Sequence, residues 1–205
     1  MRAIKKEEKT PQQILCEELE HWETPEWAAR AILSKEILTR WVVDPCAGTG
    51  ILARQAKGGG HHVLSIDIHD WGYDVLKADW LNPAEHFSDI SGTVQDATVF
   101  MNPPFSLSER FVDQSFELGA RKIVCFQKFS WYEGSYDTGK KRGTWWEKRP
   151  PARIWVCGDR ADCWRHDIPK DKRTSSTPTT YAWFVWERGH APAAITGHIY
   201  KGDAK

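Results

Sequence analysis

The tetrapeptide Asn102-Pro103-Pro104-Phe105 ends a short apolar run, 97–101, and combines residue types suited to one chemical task. An amide side chain and the carbonyl of the proline after it present two hydrogen-bond acceptors. The prolines fix the backbone and bring no N–H to compete for them. Phe105 adds a flat apolar face for stacking. Such a group grips a planar ring that carries an exocyclic amine. Accepting both amine hydrogens would pull the nitrogen toward tetrahedral geometry and localise its lone pair, which turns a poor nucleophile into a usable one. The plain alternative is a strand that stops at a Pro-Pro turn with Phe105 in the core.

A second motif lies upstream, Asp44-Pro45-Cys46-Ala47-Gly48-Thr49-Gly50, after the run 41–43. There the chain must turn sharply from strand to helix, and Gly48 and Gly50 permit angles and close approach that side chains forbid. Asp67 ends the next apolar run 17 residues past Gly50, where a carboxylate can accept from ribose hydroxyls. The pair marks a nucleoside site and leaves open whether a dinucleotide or S-adenosylmethionine fills it. The third glycine of a dinucleotide fingerprint would fall at Ala53.

Taken together, these motifs resemble the S-adenosylmethionine-dependent amino-methyltransferases, above all the DNA adenine-N6 enzymes, whose motif reads Asp/Asn/Ser-Pro-Pro-Tyr/Phe/Trp. The resemblance implies a three-layer Rossmann-like α/β fold with a mostly parallel seven-stranded sheet. It also implies that Asp44, Pro45, Cys46, Ala47, Gly48 and Gly50 wrap the methionine part of the cofactor. Asp67, with Ile68, holds the ribose, and Asp79 accepts from the adenine amine while Trp80 packs the ring. Thr24-Pro25 matches the segment that contacts the methionine carboxylate. Asp79 would equally suit a turn, and Thr24 would equally cap a helix. Asn102, Pro103, Pro104 and Phe105 are the residues that hold the target base. The run 180–189 resembles the last strand of small phage-type DNA methyltransferases.

At 205 residues the chain has the size of one α/β domain, which buries about 70% of the surface its unfolded chain exposes. We expect a disordered stretch at 1–10 and one methyltransferase domain over 11–205, with a basic and aromatic insert at about 129–151. Lys plus Arg equal Asp plus Glu overall, yet 121–173 holds 14 Lys and Arg against 7 Asp and Glu, which favours a polyanion on one face. A merely solvated basic surface is the rival. The five cysteines are odd in number and lie in or beside apolar runs, as reduced cytosolic thiols do. Cys157, Cys163 and His166 match no zinc spacing, so no metal is expected. The charged N-terminus and the lack of a run of about 20 apolar residues predict neither secretion nor a membrane span. A cytoplasmic monomer of a bacterium or phage-infected host follows.

The elements that must position these motifs can be read from periodicity. Helices are expected at 12–21 and from 25 to about 38, the second capped by Thr24 with Pro25 in its first position and a break near Ser34. Apolar runs at 41–43, 62–68, 75–77, 97–101, 122–126, 153–157 and 181–186 predict strands buried on both faces. Phe111, Ser115, Phe116 and Leu118 mark a helix after the fourth run, with Gly119 at its end. Between 130 and 151 the pattern fails, which predicts a long functional loop, and 174–180 a second polar one.

A base in a duplex would have to flip to reach such a pocket. Lys140, Lys141, Arg142, Lys148 and Arg149 are candidates for phosphates, and Trp145 and Trp146, with Trp131 and Tyr132, for stacking or wedging. A Trp pair is also common core packing. No large recognition domain separates the motifs, so a short DNA site read by loops is expected. RNA adenine-N6, DNA cytosine-N4 and protein glutamine-N5 methylation use related motifs. A catalytically silent binding module is a further alternative.

Overall fold

The computed structural model describes residues 9–83, 87–133, 142–173, 179–190 and 194–204. Along them run α1 (Pro11–Glu18), β1 (Trp22–Glu23), α2 (Glu26–Lys35), β2 (Trp41–Asp44), α3 (Ile51–Gly58), β3 (His62–Asp67), β4 (Leu76–Lys77), α4 (Phe87–Val94), β5 (Thr98–Met101), α5 (Ser108–Glu117), β6 (Lys122–Lys128), α6 (Arg142–Lys148), β7 (Arg153–Cys157), β8 (Trp164–Arg165), β9 (Tyr181–Glu187) and β10 (Ile195–Ile199). The main sheet has the order β10-β7-β9-β6-β5-β2-β3-β4. Only β9 runs antiparallel to its neighbours, and all other pairs are parallel. β1 and β8 form a separate antiparallel pair.

Alternate residues of each strand feed opposite faces. Val43, Val99, Met101, Ile123, Cys125 and Phe184 pack with α4, α5 and α6 on one side. Val42, Phe100, Val124, Phe126 and Trp183 pack with α2 and α3 on the other. The result is the expected three-layer Rossmann-like sandwich. The chain steps outward from β2 to β3 and β4, then returns to the other side of β2 with β5. The crevice beyond the strand ends at such a reversal is where open α/β sheets bind ligands.

All seven expected strands are present. The sheet has eight, because β10 adds a parallel edge strand beside β7. Thr10, expected to be disordered, instead caps α1 through a reciprocal bond with Gln13. The residues 1–8 lie outside the described set. α1 stops at Glu18 rather than 21, and α2 stops at Lys35 rather than about 38. Pro25, not Thr24, stands at the N-cap of α2, and no side chain caps it. The stretch expected as loop contains a short 3-10 turn (Phe129–Tyr132) and α6.

Trp131 and Trp146 are buried in the core with Phe184 and Trp186. The regional positive charge is also reduced. Lys122 and Arg153 pair with Glu36 and Glu187, Arg149 with Asp113, Arg165 with Glu17 and Asp167, and Arg173 with Glu23. Nearly all these partners lie outside 121–173, so the local excess of cations is largely answered from elsewhere in the fold.

Candidate active site

The turn after β2 is built as the two glycines require. Gly48 and Gly50 have φ of +52° and +81°, in the region that favours glycine. A Cβ on Gly50 would stand 2.5 Å from the Tyr73 ring, and one on Gly48 2.7 Å from His21 Nε2. The turn is tied to β3: Gly48 N donates to Asp67 Oδ2 at 2.8 Å, and His69 N donates to Asp67 Oδ1 at 2.9 Å. A carboxylate has about four lone-pair sites, so Asp67 keeps acceptor capacity for a ligand.

Asp44 lies beneath the turn, 1% exposed. Its Oδ1 takes a long bond of 3.4 Å from Cys46 N, and its Oδ2 has no partner among the described residues. Burial, with the Asp67 carboxylate adding to it, pushes the Asp44 carboxyl up to about 8. Burial likewise raises the Cys46 thiol.

A cleft of about 180 Å³ opens over these elements. Pro45, Cys46, Ala47 and Gly48 line it from the first motif, Asp67 and Ile68 from the end of β3, and Asp79 and Trp80 from the segment after β4. Thr24, Asn102 and Pro104 complete the predicted residues on its wall. Asp44, Gly50, Pro25, Pro103 and Phe105 stand behind it or beside it. Asp79 Oδ1 accepts from Leu81 N at 2.9 Å, so its turn role is real while its carboxylate sits at the rim. Trp80 is 1% exposed and its indole N–H donates to Phe111 O at 3.3 Å.

The tetrapeptide 102–105 leaves β5 directly beside the glycine turn, because β2 and β5 are neighbours in register, Val43 opposite Val99. Asn102 Nδ2 donates to the Trp22 carbonyl at 2.8 Å, which fixes the amide orientation. Its Oδ1 is buried with no partner among the described residues. Pro104 O receives Leu107 N and Ser108 Oγ, whereas no donor among the described residues reaches Pro103 O. Asn102 lines the cleft, whereas Pro103 is buried beside it. Phe105 is half-buried, with Trp22 and Tyr181 at centroid distances of 6.4 and 6.2 Å and the Lys128 ammonium 4.5 Å from its ring centroid.

One part of the site was invisible to motif reading. The segment joining α1 to α2 roofs the cleft with Glu18, Glu20, His21, Trp22 and Glu23. It is held by the β1–β8 pair, by Glu23 accepting from Arg173 Nη2 at 3.1 Å and bonding His166 Nδ1 at 3.0 Å, and by Ser106 N donating to Glu20. Burial, then His166, pushes the His21 imidazole down to about 4. Five carboxylates, Glu18, Glu20, Glu23, Asp67 and Asp79, line the cleft, and among the described residues no Lys or Arg does.

No protein-family profile and no curated protein matches the sequence. Solved structures do. A type I restriction-modification methyltransferase subunit from Streptococcus thermophilus aligns over 87% of this chain at 10% identity, with a TM-score of 0.62. The fold is that of the Rossmann-like methyltransferases. The chain spans about half of that subunit, 47%. A putative RNA methyltransferase from Pyrococcus horikoshii aligns at 16% identity over 88% of this chain and 97% of its own, with a TM-score of 0.43. A predicted O-methyltransferase from Agrobacterium tumefaciens aligns at 14% identity over 84% and 85%, with a TM-score of 0.48. The last two superpose too loosely to bear on the site.

The candidate nucleic-acid residues are spread out. Lys140 and Lys141 lie outside the described residues, and of Arg142 only the helical backbone is described. Trp146 is a core residue whose indole donates to Trp131 O at 3.3 Å, and Trp145 donates to Asp113 Oδ2 at 3.0 Å. Arg149 pairs with Asp113 and covers the Phe116 ring. Lys148 is exposed. None of the described ones lines the cleft. Among the described residues no helix is long and apolar enough to cross a membrane.

Proposed function

We propose that this chain is an S-adenosylmethionine-dependent methyltransferase acting on the exocyclic N6 amine of adenine in DNA. One observation carries the reading: Asn102 is anchored through Nδ2, so its buried, unpartnered Oδ1 faces the site as an acceptor in need of an N–H donor. An orphan acceptor of this kind on a cleft-lining residue is what an aromatic amine would satisfy.

The residues fit the cofactor. The glycine turn leaves no room for side chains, Asp67 retains lone pairs for ribose hydroxyls, and the carboxylate-lined wall suits a cation and repels the pyrophosphate of a dinucleotide. When bound, S-adenosylmethionine supplies an electrophilic sulfonium methyl. Asn102 Oδ1 and Pro103 O accept the two amine hydrogens, Phe105 stacks on the ring, and the rigid Pro-Pro backbone keeps the ordering cost low. The methylated amine is strongly acidic and loses its proton to water, so the site needs no strong base.

Asparagine at the first position of the tetrapeptide favours adenine in the family this chain resembles. DNA as acceptor is supported by the fold likeness to a restriction-modification subunit. It is also supported by Lys128, Lys148, Lys170 and Lys172, which no ion pair among the described residues holds.

The test is tritiated methyl transfer to unmethylated DNA, with RNA and protein in parallel, followed by nucleoside analysis. N6-methyldeoxyadenosine is expected, and Asn102→Ala should cut transfer by about 10²-fold or more while cofactor affinity stays within a few-fold. Label in RNA or on cytosine N4 would move the acceptor. Label nowhere, with cofactor bound, would leave a silent binding module.

A further inference from the structure

We propose that Trp22 is a substrate-stacking residue, its indole forming with Phe105 the two walls of the slot that receives the acceptor base. The inference rests on the acceptor reading above. The two rings stand 6.4 Å apart with planes 24° from parallel. Bases stack at about 3.4 Å, so a base between two rings needs their centres about 6.8 Å apart, close to the centroid separation of Trp22 and Phe105. Both residues are half-buried, neither sealed in the core nor free in solvent. β1 is two residues long and holds its partner strand through two residue pairs, so a small widening breaks little.

Trp22 is tied to the catalytic amide by its own backbone, since its carbonyl orients Asn102. The turn that brings it there is strained. α1 ends with His21 N bonding Cys16 O at 2.9 Å and Glu20 N bonding Glu17 O at 3.2 Å, an arrangement that places Glu20 in the left-handed region, φ +48°. Glycine is the residue that region favours, and a glutamate there needs a reason. Its carboxylate supplies one by accepting from the Ser106 amide, one residue beyond Phe105. Glu20 and the Trp22 carbonyl therefore brace the tetrapeptide at both ends. The indole between them faces the ring that stacks the base. A strained backbone next to two contacts with the catalytic turn marks this roof as part of the acceptor site.

The test uses the full chain as wild type, Trp22→Phe, Trp22→Ala and Phe105→Ala. Each is mixed with a single-stranded DNA oligonucleotide of mixed sequence containing 2-aminopurine, whose fluorescence is quenched on stacking. Cofactor affinity and the KM and kcat of methyl transfer are measured on the same proteins. Wild type and Trp22→Phe should quench. Trp22→Ala should lose most of the quench and raise KM for DNA about 10- to 100-fold, the range expected for one stacked base, with cofactor affinity within about threefold. Unchanged quench and KM in Trp22→Ala overturns the assignment and leaves the proposed function standing. So does equal damage by Trp22→Phe and Trp22→Ala, which would mean a packing role. A wild type that transfers no methyl refutes the proposed function. The quench arm then decides Trp22 alone: quench in wild type that Trp22→Ala lacks keeps the slot, and no quench in wild type removes it.

Discussion

Replacing Asp44 by Asn tests whether the acid beneath the glycine turn is held protonated. Its carboxyl is pushed by burial and by Asp67 from the ordinary 3.8 to about 8. The folded state keeps this proton over a range in which the unfolded chain has already lost it. Stability contributed by the group is therefore intact below about pH 3.8 and is lost as pH rises toward 8, by up to about 1.4 kcal/mol per pH unit. At pH 7 the penalty is on the order of 4 kcal/mol. Asn has the same shape and no proton to lose, so Asp44→Asn removes the slope. Asp67, whose own carboxyl is raised chiefly by burial, shares part of the titration. Urea unfolding of the cofactor-free protein at pH 4.5, 6 and 7.5, at constant salt, measures it. The variant should match wild type near pH 4.5 to within about 1 kcal/mol and exceed it by about 2–4 kcal/mol at pH 7.5. Parallel stability curves for the two proteins would refute the reasoning, because they would show that Asp44 ionises freely or is equally costly in both states.

Gly50→Ala should lower cofactor affinity more than tenfold, measured by calorimetry. The added methyl meets Tyr73 at 2.5 Å and forces an alanine to φ +81°, costing the fold about 1–2 kcal/mol as well. Glu36→Gln should destabilise by about 1–3 kcal/mol in chemical denaturation, because Lys122 and Arg153 lose the more buried of their two carboxylate partners and keep only Glu187. Glu36 sits at the start of β6, the end away from Phe105, so KM for both substrates should not change.

The strands were legible because their runs are buried on both faces and bounded by Gly, Pro and charged residues. β5 and β9, for instance, are buried at nearly every position. β10 was not legible, since its five residues offer only Ile195 and Ile199 and four of them remain at least partly exposed. The motifs come together because each ends a strand, and neighbouring parallel strands deliver their C-terminal ends to one crevice. The roof escaped notice because the left-handed residue just past α1 is Glu20, where glycine would have signalled the turn. Trp145 and Trp146 looked like surface aromatics in a basic stretch. Their partners, Asp113, Trp131 and Phe184, lie 15 to 38 residues away, and composition gives no hint of them. Charge pairing was hidden for the same reason: Arg153 meets Glu36 across 117 positions.

That redistribution of charge bears on how two unlike ligands share one crevice. The cleft wall carries five carboxylates, of which Glu23 is answered by Arg173. It therefore attracts a cationic methyl donor and repels phosphate. Under the proposed function, a nucleic acid would not follow the donor in by the same route, and its base would reach Asn102 from the side where Phe105 and Trp22 face each other. There the Lys128 ammonium stands over the Phe105 ring, unpaired among the described residues and on the strand next to β5. An ammonium at that point can meet the backbone of an extruded nucleotide while the acidic wall keeps its phosphates away from the donor. On that proposal the two halves of the site would be separated by sign of charge as well as by position, with Asn102 on the boundary.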